Sequence, residues 1–242
     1  MATVHRAERR VSGVRQRVAL KRLLPNAAED PDLVKLFLDE ARLVSHLRHR
    51  NIAEIYDFGR VGDQYFLAME LGAGPTLKQL VQHCAATVGL IPYPIALNLL
   101  IQVCDALAYA HTLTDENGTP LGLIHRDVSP PNIIISNTGT VKLIDFGVAK
   151  LAKSTQQTMV GTVKGKFSYM APEYLEGRLD SRVDLWALGT VAHELLTNRM
   201  LFDAVEDVGV PDKVKRSPIP PPSRFNPDVP RDLDAVVLTA LE

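Results

Sequence analysis

The chain has 242 residues, a formal net charge of -1, 46% hydrophobic and 23% charged side chains, and a mean hydropathy near zero. That balance excludes disorder, collagen and coiled coil, and leaves one large or two small globular domains with enough chain to bury a core. Twenty-seven basic against twenty-eight acidic side chains give no global field for nucleic acid or an anionic membrane, so no nucleic-acid partner is expected.

Only two cysteines occur, Cys84 and Cys104, with neither metal-site nor disulfide spacing. Both read as small hydrophobes in helices, and a reducing, cytoplasmic setting is expected. The opening MATVHRAERR carries charge without an apolar segment, and no later run reads as approaching the roughly 18 apolar residues of a membrane span.

In chain order, β-formers from Thr3 to Arg9 and Arg15 to Arg22 flank Ser12-Gly13 and predict a hairpin. From Pro31 to Arg48, Leu33, Phe37, Ala41, Val44 and Leu47 fall at helical spacing behind a Pro-Asp start. Ile52 to Phe58 and Gln64 to Glu70 predict two strands around a Gly62-Asp63 turn, and LGAGPT then breaks the pattern like a hinge. Leu77 to Cys84 and Tyr93 to His111 read as buried helices. Two short strands, Ile133 to Ser136 and Thr140 to Ile144, follow a polar turn. A Thr- and Lys-rich loop, an apolar helix from Val183 to Leu196, a proline-heavy connector over 218–230 and a helix from Leu233 complete the chain.

Four signals carry chemistry, and their order matters more than any one of them. Val-Ala-Leu-Lys ends at Lys21 on the second hairpin strand, where a lysine alone says little. Glu40 sits on the inward side of the next helix and pairs with Lys21 if that helix packs on the sheet. His125-Arg126-Asp127 is followed by Val128-Ser129-Pro130-Pro131 and Asn132. A fixed acid, an amide five residues on and a rigid diproline between them are what is needed to hold a metal beside a nucleophilic hydroxyl. Asp145-Phe146-Gly147 closes the short hairpin, and Ala171-Pro172-Glu173 follows a polar segment.

Together these motifs resemble the protein kinase catalytic domain, in particular the eukaryotic-like Ser/Thr kinases of bacteria, over the whole chain. The resemblance implies an α+β, two-lobed protein kinase-like fold over 1–242: a small β-rich N-lobe (1–71) lacking the first strand and Gly-rich loop, and a larger helical C-lobe (72–242) truncated at its end. It implies an ATP-dependent Ser/Thr protein kinase, a signal-transduction transferase, with ATP and Mg2+ as cofactors and with ATP, protein substrates and a kinase dimer for trans-autophosphorylation as partners. Lys21 would hold the α and β phosphates, oriented by Glu40. Asp127 would accept the proton of the substrate hydroxyl. Asn132 and Asp145 would coordinate magnesium. Adenine would meet the main chain of Glu70, Leu71 and Gly72 behind Met69. Val44, Ile55, His125 and Phe146 would stack as a spine between the lobes, or are four ordinary core residues.

By the same resemblance, Arg126 is placed to pair with a phosphate arriving on the loop after Asp145, at Thr162 first and otherwise at Thr158, Thr155 or Ser154, and Asp184 would hold the backbone of His125 and Arg126. A loop with hydroxyls that nothing modifies is the plain alternative.

Three departures stand out. Where the family carries a lysine two residues after the catalytic aspartate, this chain has Ser129, and where it carries a threonine seven residues before Glu173, this chain has Lys166. Lys166 either supplies the charge lost at 129 or simply faces solvent or an acidic substrate. The chain opens just after the expected glycine-rich loop and closes before the arginine that pairs with Glu173, so a fragment is expected. The rival readings are a nucleotide-binding pseudokinase or interaction scaffold, and a small-molecule phosphotransferase of related fold.

Overall fold

The computed structural model describes residues 2–146, 167–175, 177–202, 214 and 218–242, apart from the side chains of Glu40, Phe167 and Leu175. Strands β1 (Ala2–Val11) and β2 (Val14–Leu23) form the expected hairpin, turning through Ser12 and Gly13, both at positive φ. β3 (Ile55–Val61) and β4 (Gln64–Glu70) complete a four-stranded antiparallel sheet in the order β1-β2-β4-β3. Short α1 (Pro25–Ala28) and long α2 (Pro31–Val44) lie between the hairpins. The Asp30 side chain caps α2 by accepting from the Asp32 and Leu33 amides, and Phe37, Ala41 and Val44 bury one face of it.

The helix ends four residues earlier than its periodicity suggests. Ser45 and His46 turn their side chains back onto the Arg42 carbonyl, and the chain then leaves for the other lobe. Ile52 likewise does not start a strand: it makes an isolated parallel bridge to Leu143. Around it, Ala53 N donates to Leu143 O, Leu143 N to Asn51 O, and Asn51 Nδ2 to Val141 O. The apolar pattern from Ile52 onward is real, but its first residues serve the C-lobe.

Beyond the hinge, α3 (Leu77–Thr87) opens on a reciprocal cap between Thr76 and Gln79, and α4 (Tyr93–Thr112) buries Leu99, Leu100, Val103, Ala106, Leu107 and Ala110. By length and composition α4 is long and apolar enough to cross a membrane, contrary to the expectation that no run is; its apolar residues face the C-lobe core as well as solvent. Cys84 is partly buried in α3, whereas Cys104 on α4 is exposed, so the second cysteine is not a core residue. A one-turn helix over Pro130–Asn132 precedes the two-stranded β5 (Ile133–Ile135) and β6 (Val141–Leu143).

After α5 (Pro172–Leu175), α6 (Arg182–Thr197) runs through the middle of the C-lobe with thirteen buried residues, and α7 (Arg231–Thr239) packs against it. A helix buried on most of its circumference, with Leu185 left exposed, is what the apolar run from Val183 requires, since each large side chain removed from water contributes about 1.5–3 kcal/mol.

Candidate functional site

Strand alternation puts Ala19 and Lys21 on the same face of β2. Lys21 Nζ reaches across to Asp145 Oδ1 at 2.9 Å, joining residues 124 apart in sequence and one lobe to the other. Both ends of this ion pair are largely shielded from solvent, which strengthens it relative to a surface pair.

The opposite wall is built around Asp184, fully buried at the start of α6. Its Oδ2 accepts from His125 N at 2.7 Å and from His111 Nε2 at 2.8 Å, and its Oδ1 accepts from Arg126 N at 2.7 Å. These bonds hold Arg126 at φ 64°, a left-handed conformation that a non-glycine residue adopts at a cost of order 1–3 kcal/mol. Burial depresses the pKa of His125, so its ring is neutral. Nε2 then donates to Ile144 O at 3.0 Å, and Nδ1 accepts from Asp127 N at 3.2 Å. One imidazole therefore aligns the segment carrying Asp127 with the segment carrying Asp145.

Asn132 adds the third tie. Its Nδ2 donates to Asp127 O at 2.8 Å, and its carbonyl accepts from Ile144 N at 3.0 Å. The segments carrying Asp127, Asn132 and Asp145 are thus tied to one another through Asn132. Asp145 also sits at positive φ, 57°, and the following Phe146 is buried with its ring 4.5 Å from that of His125. Val44, Ile55 and Phe146 line one small cavity together with Met69 and Asp145, and His125, which does not line it, joins the group through its contact with the Phe146 ring.

The hinge is shaped by close approach. A Cβ on Gly72 would stand 2.5 Å from the Ile134 side chain, and one on Gly74 only 1.9 Å from the Ile135 carbonyl oxygen. Glu70, preceded by buried Met69 and followed by Leu71, sends its carboxylate to Lys142 Nζ on β6 at 2.7 Å, and the same Oε2 accepts from Glu54 N. This strap and the His111–Asp184 bond escaped the sequence reading. Their signals are weak: Lys142 looks like the solvent side of a short strand, and His111 closes an apolar helix.

Of the remaining expected residues, Glu40 lies in α2 with its side chain outside the described set, and Lys166, Ser154, Thr155, Thr158 and Thr162 lie outside the described residues. Ser129 is buried and donates to Asp127 O at 3.3 Å, so no charge stands there. Arg126 is half-buried, with its pKa depressed by desolvation, and it is not free. Glu173 is partly exposed, so it does not stand as a fully buried charge.

A small antiparallel sheet with one long helix, joined to a helical lobe whose Asp145 meets a sheet lysine, defines the bilobal kinase fold. The comparisons agree. The chain matches the family described as protein kinase domain over residues 1–226. It is 37% identical over 230 residues to the tyrosine-protein kinase MasK of Myxococcus xanthus, covering 95% of this chain and 36% of that protein. It is 36% identical over 241 residues to the serine/threonine-protein kinase PrkC of Bacillus subtilis, covering 99% of this chain and 35% of that protein. The solved kinase domain of Mycobacterium tuberculosis PknI superposes with a TM-score of 0.69 at 28% identity, covering 97% of this chain and 80% of that one. The chain belongs to the protein kinase family. It spans about a third of the length of the curated relatives it matches.

Proposed function

We propose that the chain transfers the γ-phosphate of Mg-ATP to Ser or Thr hydroxyls of proteins, with the lobes meeting at residue 71. The observation that carries this is the convergence of Lys21 on Asp145 beside the Asp127–Asn132 pair. Phosphoryl transfer asks a protein chiefly for alignment and charge neutralisation, and these residues supply both. Lys21 binds the nucleotide phosphates in place of its present partner Asp145, with Glu40 as its orienting acid. The main chain of Glu70, Leu71 and Gly72 binds adenine behind Met69. Asn132 and Asp145 offer an amide and a carboxylate oxygen, a donor set that fits magnesium, which when bound neutralises charge on the phosphates. Asp127 accepts the proton of the attacking hydroxyl.

Lys166 restores the positive charge that Ser129 does not provide, and phosphorylation of the loop, at Thr162 before Thr158, Thr155 or Ser154, switches the enzyme on through a kinase dimer. A tyrosine acceptor is the second reading, favoured by the name of the relative MasK.

The test is phosphotransfer from labelled ATP to a mixed Ser/Thr/Tyr peptide set, with acid hydrolysis to identify the labelled residue. Asp127→Asn should cut the rate by about 10²–10⁴, and Asp145→Ala should remove magnesium-dependent nucleotide binding as well. Label on tyrosine alone would select the second reading. Nucleotide binding with the same background transfer in wild type and Asp127→Asn would make the chain a scaffold.

A further inference from the structure

Twelve residues of the β1–β2 hairpin, Arg6 to Arg17, hold five arginines and a single acid, Glu8, in a chain whose net charge is -1. β2 pairs with β4 only from Val18 to Arg22, and Val18 lies opposite Glu70, the last residue before the hinge. The outer half of the hairpin therefore projects past the sheet as a two-stranded ribbon on the hinge side.

The register sorts the arginines. Arg6 lies opposite Ala19, Glu8 opposite Arg17 and Arg10 opposite Arg15, which places Arg6, Arg10, Arg15 and Arg17 on one face. Arg9 points to the other face and has a structural role: its guanidinium lies 3.7 Å from the Tyr56 ring centroid and donates to Gln16 Oε1 at 2.7 Å. The other four are exposed and nearly unengaged. Arg15 reaches Glu8 only at 3.9 Å, and Arg6, Arg10 and Arg17 make no hydrogen bond or ion pair among the described residues. Arg10 and Arg15 stand directly across the ribbon from each other, an arrangement of like charges that weakens a hairpin. The fold gains nothing from it.

We propose that this face is a docking surface for a carboxylate-rich segment of a partner protein. All four cations are arginines, whose planar fork pairs two-pronged with a carboxylate where a lysine offers only a point charge. The Glu8 carboxylate in their midst opposes a continuous polyanion, such as a nucleic-acid backbone, while leaving discrete Asp and Glu side chains free to seat on the guanidinium groups around it. The surface shares its face of the hairpin with Lys21 but extends away from it toward the turn, with Arg10 and Arg15 at the far end, and what it docks is a separate question from the reaction assigned above.

The experiment titrates the intact chain with a fluorescent peptide of alternating Glu and Ser, with a single-stranded oligodeoxynucleotide and with anionic phosphatidylglycerol vesicles. Saturable binding of the peptide is expected, loosened by added salt. It should weaken about tenfold or more in R10E/R15E and in the milder R6Q/R17Q, with nucleotide binding and melting temperature kept as folding controls. The neutral pair keeps the test open if charge reversal unfolds the hairpin. Peptide affinity unchanged in both variants would overturn the proposal, as would binding to the oligonucleotide or the vesicles as tight as to the peptide.

Discussion

The two walls of the cleft are built by opposite means. On the C-lobe side, Asp127 and Asn132 are locked by a network whose hub, Asp184, is buried and accepts three hydrogen bonds from two separate segments. On the N-lobe side, Lys21 stands on a sheet whose β1–β2 half projects into solvent, and it reaches the C-lobe through an ion pair to Asp145. The difference teaches that one half of the site is held by a buried network at the expense of backbone strain, while the other meets it through a partly exposed ion pair between the lobes. Stability and catalysis should accordingly separate by lobe.

The sharpest way to break that contrast is at the hub. Asp184→Ala strands three donors in the core, and removing one partner of such a buried charged network costs roughly 3–5 kcal/mol. Its melting transition should fall steeply, measured by circular dichroism, with phosphotransfer lost at the same time. Lys21→Met probes the other wall: turnover should drop about 10²–10³-fold while the melting temperature changes less than in Asp184→Ala, because Asp145, the charge left behind, is about a third exposed and water can solvate it. Equal destabilisation by the two substitutions would erase the distinction.

A smaller effect tests the strap between them. Lys142→Met frees the Glu70 carboxylate and with it the hinge, so KM for ATP should rise several-fold, an effect of about 1 kcal/mol, with kcat nearly kept. Reversing the pair, Lys142→Glu with Glu70→Lys, should recover much of the loss.

The smallest effect lies in pH. Burial lowers the pKa of His193, whose Nε2 donates to the Pro220 carbonyl at 3.0 Å, and burial likewise lowers that of His125. A depressed native pKa means that the unfolded chain binds the proton more readily. Both groups therefore contribute stability that is complete above about pH 6.5 and lost as pH falls through the native values. His193→Phe should flatten the acid side of the stability profile, leaving the part due to His125, as followed by denaturant unfolding at stepped pH.

Much of this was legible in the chain because the chemistry sits in contiguous motifs. Lys21, the segment from His125 to Asn132 and the Asp145-Phe146 pair each announce themselves by local spacing, and the strand registers follow from alternation around Gly13 and Gly62. What stayed hidden joins residues far apart with no local pattern of their own. Lys142 and Glu70 are separated by 72 positions and His111 and Asp184 by 73, and neither pair alters the periodicity around it. The early end of α2 and the late start of β3 escaped for the same reason, since Leu47 is as apolar as the helix predicts and Ile52 as the strand predicts, but both are buried outside those elements.

That early end has a mechanical meaning. The stretch linking α2 to β3 is bonded to Leu143 and Val141, Arg48 N donates to the Tyr109 hydroxyl, and His49 stacks on the Tyr109 ring at 5.1 Å. The foot of α2 is thus bolted to the lower half of the molecule although its body lies against the upper. Any rocking of the sheet turns α2 about a fixed pivot, so its free end, nearest Asp30, sweeps the widest arc, and a contact made there has the longest lever for opening or shutting the cleft.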